Sequence, residues 1–260
     1  MYDLVAALVD FSEAAFMAAV LTFARVAAIV GLMPGFGEQF IPARIRLAAA
    51  LAFSVIVFPM LDQAALAGPW TALRFGGAIL GEVAVGLVIG LGFRLLVMAL
   101  QLAGSIAAQT TALAQIAAGG VAPEPMPAIG NVLVLAGLAL AMVLDLHLKA
   151  VEAIVVSYDV VGFGGVLSGS DIAEWGLSHA VRAFALAFSL AAPFVIAAFL
   201  YNVALGAINR AMPQLMVAFV GAPAITGATL ILLFLAGPLM LAVWSDRLDM
   251  ALALPLGPPR

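Results

Sequence analysis

Cysteine is absent from the 260-residue chain, which excludes disulfides and thiolate-held metal sites. Charge is scarce: 9% of residues are charged, whereas soluble domains run nearer about 25%. A chain so poor in charge cannot cover its own surface with polar groups, so lipid or partner proteins must do so. The net charge of −4 is small and scattered, with no basic block suited to nucleic acid or to an anionic lipid surface. Only two histidines are present, His147 and His179, in different segments, and no further ligands accompany them in metal-site spacing. His-Glu-x-x-His, Gly-x-Ser-x-Gly and Walker A patterns are also missing. No catalytic residue, metal or cofactor is therefore assigned.

What is present is apolar. Hydrophobic residues make up 66% of the chain and the mean hydropathy is +1.23. A helix needs about 20 largely apolar residues to cross the hydrocarbon core. Six segments qualify: Ala14–Met33, Ile45–Leu61, Phe75–Leu102, Ile129–Leu148, Ala180–Leu205 and Ala224–Val243. The expected fold is all-α, a polytopic membrane protein of about six hydrophobic, proline-broken helices, forming one domain over residues 1–260. Ahead of the first segment lie Asp10 and Glu13 and no Lys or Arg, a poor match to a signal peptide, so that segment is expected to be retained.

Turns separate the segments. Pro34-Gly35-Phe36-Gly37 with Pro42 closes the first, and Ala67-Gly68-Pro69-Trp70 the second. Residues 157–178 read as a polar connector, within which Asp171-Ile172-Ala173-Glu174 has capping-box spacing and predicts a helix start near Asp171. Lys and Arg do not settle orientation. With six crossings, Arg74, Lys149, Arg182, Arg247 and Arg260 fall on one side and Arg44, Arg46, Arg94 and Arg210 on the other.

Taken singly, the segments are poor spans. In the first, Phe16, Val20, Leu21, Phe23, Val26, Ile29, Val30 and Leu32 favour insertion by roughly 2.5–5 kcal/mol, and Arg25 opposes it by about 2.5–3.5 kcal/mol. The balance is near zero. Glu82 burdens the third segment in the same way, while Pro193 and Pro238 interrupt the fifth and sixth. Gly77 and Gly81, then Gly86 and Gly90, have the small-residue spacing that lets helices approach closely, and the two pairs fall on roughly opposite faces. The third helix is accordingly expected to be contacted on two sides. Arg25 reads as a structural partner for Glu82 or for a backbone carbonyl. Arg44 and Arg46, just after Pro42, either anchor a helix at the headgroups or dock another subunit. Asp145, Lys149 and Glu152 share a helix face and read as an ion-paired helix end.

Residues 104–130 are neither an ordinary span nor an ordinary polar loop. Gln109, Thr110, Thr111 and Gln115 lie among alanines, and Gly119, Gly120 and three prolines follow. Irregular backbone at membrane depth is tolerated where protein buries it or where it lines an aqueous cavity. The segment reads either as a movable stopper in a pore or as a helix end followed by a turn.

Two runs carry a resemblance. The first is Phe23-Ala24-Arg25-Val26, Met33-Pro34-Gly35-Phe36-Gly37 and Ile41-Pro42-Ala43-Arg44-Ile45-Arg46-Leu47-Ala48, closing at Phe58-Pro59. The second runs from Tyr201-Asn202 through Asn209-Arg210-Ala211-Met212-Pro213-Gln214 to Gly221-Ala222-Pro223. With the Ser157-Tyr158 pair and the Gly162–Gly165 turn between them, the chain resembles the FliR/SctT family, the export-gate subunits of flagellar and virulence type III secretion systems.

That resemblance implies a helical subunit wound together with FliP-like and FliQ-like subunits and wrapped by an FlhB-like switch protein. It implies a site in the bacterial inner (cytoplasmic) membrane, within the flagellar basal body, contact with membrane lipid, and passage of unfolded exported proteins. It also implies that the central loop plugs the closed pore, with Gln109, Thr110, Thr111, Gln115, Gly119 and Gly120 in the plug. This loop is alanine-rich and lacks the family's phenylalanine. Arg25, Pro42, Arg44, Arg46, Glu82, Asn202, Asn209, Arg210, Pro213 and Gln214 are the candidates for subunit contact and scaffolding. The alternative is a self-contained small-solute transporter or channel, which requires a midplane polar site. An intramembrane enzyme requires a nucleophile and a base within reach, and neither is found.

Overall fold

The computed structural model describes residues 2–38, 40–61, 70–117, 128–212 and 217–257. Among these the regular elements are helices alone. They are α1 (Tyr2–Leu32), α2 (Ala43–Val57, continued by a 3₁₀ turn at Phe58–Met60), α3 (Ala72–Ala117), α4 (Ala128–Val143), α5 (Leu146–Val160), α6 (Gly169–Ala211) and α7 (Val217–Ala253). Five helices are long and apolar enough to cross a membrane, and α4 with α5 would add a sixth as one broken span. The all-α polytopic expectation is met.

The helix limits depart from the sequence reading for local reasons. Helix α3 continues past the expected limit at Leu102 to Ala117, so the first half of the 104–130 segment, 104–117, is helical, as its reading as a helix end expected. The run Ser105–Ala117 has neither glycine nor proline and holds five alanines, two glutamines and one leucine, all strong helix formers. The polar connector shrinks from 157–178 to the eight residues between Val160 and Gly169. Helix α6 starts at Gly169, and Ser168 Oγ accepts the Asp171 N–H at 3.1 Å, so the cap lies three residues earlier than the Asp171–Glu174 box.

The fourth segment is also cut, at Leu144-Asp145, where Asp145 takes a left-handed φ of 60°. A short polar side chain tolerates that conformation at modest cost. Pro193 lies inside α6, and Pro223 and Pro238 inside α7, without ending either helix.

The chain divides into two compact units, and α3, α4, α6 and α7 each contribute to both. The first takes Met1–Leu95, Ala141–Ala180 and Leu248–Arg260. Its interior holds Leu21, Val26, Ile29, Val85, Ile89 and Ile154. Near Ala18 and Ala78 it is closed by Phe58, Trp70, Phe75 and Phe163. Glycine sets the helix spacing here. A Cβ on Gly86 would stand 2.6 Å from the Arg25 carbonyl of α1, and one on Gly81 would stand 2.9 Å from the Gly165 carbonyl. Contact on two sides of α3 is thus observed, with α1 on one side and the Val161–Gly165 turn on another.

The second unit takes Leu96–Leu140 and Val181–Arg247. Its interior centres on Trp244, fully buried, whose indole N–H donates to the Leu96 carbonyl at 2.8 Å. A Cβ on Gly104 would fall 2.2 Å from the Gly130 Cα, so α3 and α4 touch there backbone to backbone.

Candidate functional site

The first unit encloses a charged cluster built by three helices and one turn. Helix α1 contributes Arg25, α3 contributes Glu82, α5 contributes Ser157 and Tyr158, and the turn contributes the backbone of Val161, Gly162 and Gly164. Arg25 and Glu82 are both fully buried, and Arg25 Nε donates to Glu82 Oε2 at 2.6 Å. The rest of the guanidinium is also used. Nη1 donates to Ser157 Oγ at 3.2 Å, and Nη2 to the carbonyls of Val161 at 2.8 Å and Gly162 at 3.4 Å. The Tyr158 ring lies under the guanidinium, 3.7 Å from its carbon to the ring centroid.

Glu82 is satisfied with equal care. Its Oε2 also accepts the Tyr158 hydroxyl at 3.2 Å, and its Oε1 accepts the Gly164 N–H at 2.7 Å. Gly164 has a φ of +66°, a conformation that L side chains rarely adopt, and this aims its N–H at the carboxylate. A buried ion pair survives only when its remaining donors and acceptors are occupied, and here they are. Every guanidinium nitrogen of Arg25 and both carboxylate oxygens of Glu82 are engaged within the cluster. Its chemistry is structural: it ties α1, α3, α5 and the turn together. Both partners foreseen for Arg25, a carboxylate and backbone carbonyls, are present at once.

Two further ion pairs lie in the same unit. Arg94 Nη1 meets Glu38 Oε1 at 2.8 Å, joining α3 to the turn after α1. Lys149 Nζ meets Asp249 Oδ1 at 2.7 Å, joining α5 to the end of α7. This corrects the expected Asp145–Lys149–Glu152 helix end. The break at Asp145 puts that residue before the first turn of α5, and Lys149 finds its partner in the last helix instead.

The remaining candidates are not gathered into one place. Pro42 caps α2 with extended backbone and is exposed, Arg44 is exposed, and Arg46 is half-buried. Asn202 is half-buried in α6, while Asn209 and Arg210 are exposed at its end. Arg210 in the last turn suits the negative end of the helix dipole. Gln109 is exposed on α3, and the Thr110 hydroxyl donates to the Ala107 carbonyl at 2.8 Å. Thr111 and Gln115 belong to α3 by their backbone. Gly119, Gly120, Pro213 and Gln214 lie outside the described residues.

Sequence reasoning missed the roles of Tyr158, Gly164 and Trp244. A tyrosine next to Ser157 and a glycine-rich turn were visible, but nothing in their spacing said that they face Glu82. Glu38 and Arg94, 56 positions apart, carried no signal of contact.

All-helical architecture, spans of high hydropathy and charges neutralised inside the protein define a polytopic membrane protein. The chain matches the family described as bacterial export proteins, family 1, over residues 16–251, and it belongs to that family. It is 38% identical to the flagellar biosynthetic protein FliR of Caulobacter vibrioides, an alignment covering 88% of this chain and 92% of that protein. It is 28% identical to the FliR of Bacillus subtilis, over 80% of this chain and 81% of the relative. It is 27% identical to the FliR of Aquifex aeolicus, over 91% of each. The resemblance drawn from the two sequence runs is met.

Proposed function

We propose that this chain is a non-enzymatic subunit of the flagellar protein export gate, placed in the bacterial inner membrane and helping to form the pore by which unfolded substrates leave the cytoplasm. The observation that carries this reading is the family match over residues 16–251, together with relatives that bear the name flagellar biosynthetic protein. That name favours a flagellar over a virulence-type system.

Physical support comes from what the helices leave uncovered. Val55 on α2, Phe199 on α6 and Phe234 on α7 are 73%, 66% and 81% exposed, and many apolar neighbours share their condition. Only 17% of the apolar window of α2 is buried within the chain. FliP-like, FliQ-like and FlhB-like proteins are the proposed cover. Pro42, Arg44, Arg46, Asn202, Asn209, Arg210, Pro213 and Gln214 are proposed to meet them, while Arg25 and Glu82 scaffold the chain from inside.

The proposed mechanism is passive gating without bond chemistry. An extended chain passes through a conduit narrower than a helix with its side chains, about 10–12 Å. In the closed gate, residues 104–130 and apolar neighbours exclude water and ions, and arriving substrate displaces them. The helical stretch to Ala117 makes the proposed plug a helix end followed by residues 118–127 rather than a loop throughout.

Two experiments test this reading. Purification in mild detergent with mass analysis is expected to recover the chain with other export-gate subunits. A stable, partner-free protein that carries a small solute across liposomes would instead establish the self-contained transporter. Deletion of Gln109–Gly120 is expected to raise ion leak and disturb secretion, and no change in either removes the plug assignment.

A further inference from the structure

Helix α7 has one open face. Leu230, Ile231, Phe234, Leu235 and Leu239 are exposed along it, while Met240 and Trp244 turn inward. Their spacing keeps the exposed residues on one side of the helix. Pro238 is exposed on the same side, inside the continuous helix Val217–Ala253. Proline has no N–H, so the helical bond from residue 238 to the Phe234 carbonyl cannot form. Nothing local replaces it, because residues 231–243 contain no serine, threonine or other side-chain donor. Among the described residues no side chain donates to that carbonyl. Pro193 stands differently, half-buried in α6 and four residues after a serine.

A backbone acceptor on an apolar face narrows what can cover it. Lipid chains cover leucine and phenylalanine well but have no hydrogen to donate, and an unpaired carbonyl is strongly disfavoured in hydrocarbon. Water could serve the carbonyl, but a face of large apolar side chains does not hold a water-filled path. A helix of another protein, apolar with one polar side chain, meets both demands.

We propose that the Pro238 face of α7 docks a helix of another export-gate subunit, one whose apolar face carries a hydroxyl or amide side chain that donates to the Phe234 carbonyl. This rests on the gate reading above and adds to it the chemistry of one contact. The donor is uncharged, since no carboxylate lies between Leu230 and Val243 to meet a cation. The acceptor also selects: a wholly apolar helix would leave the carbonyl unpaired and is disfavoured.

The test uses the full-length chain co-expressed with the other export-gate subunits. Photoreactive benzoylphenylalanine in place of Leu235 is expected to cross-link to one of them, at a helix with serine, threonine, asparagine or glutamine in its apolar face. Pro238→Ala restores the N–H and closes the carbonyl within α7. The isolated variant is expected to melt at the same temperature or higher, since alanine is the better helix former. Its recovery with the cross-linked subunit is expected to fall about three- to thirtyfold. Replacing the partner's donor by an apolar side chain of similar size should give a like loss, and both changes together no more than either alone.

Cross-linking only to lipid, or to a helix without such a donor, while the subunits are still recovered, removes the docking surface and leaves the gate reading standing. So does a Pro238→Ala chain that assembles as before. Losses that add in full also overturn the proposal, because they mark a bend in α7 rather than an acceptor. Recovery of no subunit with the unaltered chain removes the gate reading, and the docking with it.

Discussion

Burial decides what each ion pair is worth. Arg25 and Glu82 are fully buried, so removing one charge strands the other in a low-dielectric interior, at a cost of about 3–5 kcal/mol. Lys149 and Asp249 remain 34% and 47% exposed, where a pair of this kind contributes about 0–1 kcal/mol. Denaturation of detergent-solubilised protein is therefore expected to show a large loss for Glu82→Gln and almost none for Lys149→Ala. Comparable losses for the two would mean that the buried cluster is open to water. Trp244→Phe removes the indole N–H that the Leu96 carbonyl accepts in addition to its helical bond, and leaves a gap where the fully buried indole was wider. The expected cost is about 1–3 kcal/mol in the same assay.

At the scale of the element, spacing and capping carry the weight. Helix α3 lies so close to α1 at Gly86 that any Cβ would meet the Arg25 carbonyl, which is backbone and cannot swing aside. Gly86→Val is expected to force the two helices apart, destabilise the chain by about 1–3 kcal/mol and weaken the Arg25–Glu82 pair together with the packing. A thermal melt in detergent checks the first effect. The start of α6 depends on Ser168, whose hydroxyl takes the Asp171 N–H. Ser168→Ala should cost about 1 kcal/mol and speed hydrogen exchange at the amide of Asp171, with the centre of α6 unchanged. The prolines act differently. Pro193, Pro223 and Pro238 each remove a backbone donor inside a continuous helix, and in lipid the freed carbonyl needs a neighbour to satisfy it.

For the whole molecule, the division between inside and outside is the informative feature. Charge is neutralised within the first unit, indole and glycine contacts close the second, and large apolar side chains face outward from α2, α6 and α7. Lipid alone can cover apolar surface, so exposure by itself does not demand protein. Exposure joined to family membership leads to the co-purification expected above. Much of this was legible in advance. The six apolar segments, the role of Arg25, the two-sided α3 and the family runs could all be read from residue type and spacing. The helix limits at Ala117 and Gly169 were misplaced, because weakly polar residues such as Gln109 and Ser170 look loop-like while remaining compatible with a helix. The break at Asp145 gave no warning, since one positive φ needs neither glycine nor proline.

Composition and periodicity by themselves determined a helical membrane protein with two unaffordable charges, because hydropathy and the cost of burying charge are properties of short stretches of chain. Only the tertiary structure decided who answers those charges. Glu82, Tyr158 and Gly164 come from positions 57 to 139 residues beyond Arg25. Long-range partnership of this kind depends on how helices pack and where a turn points its N–H groups, and no local pattern encodes it.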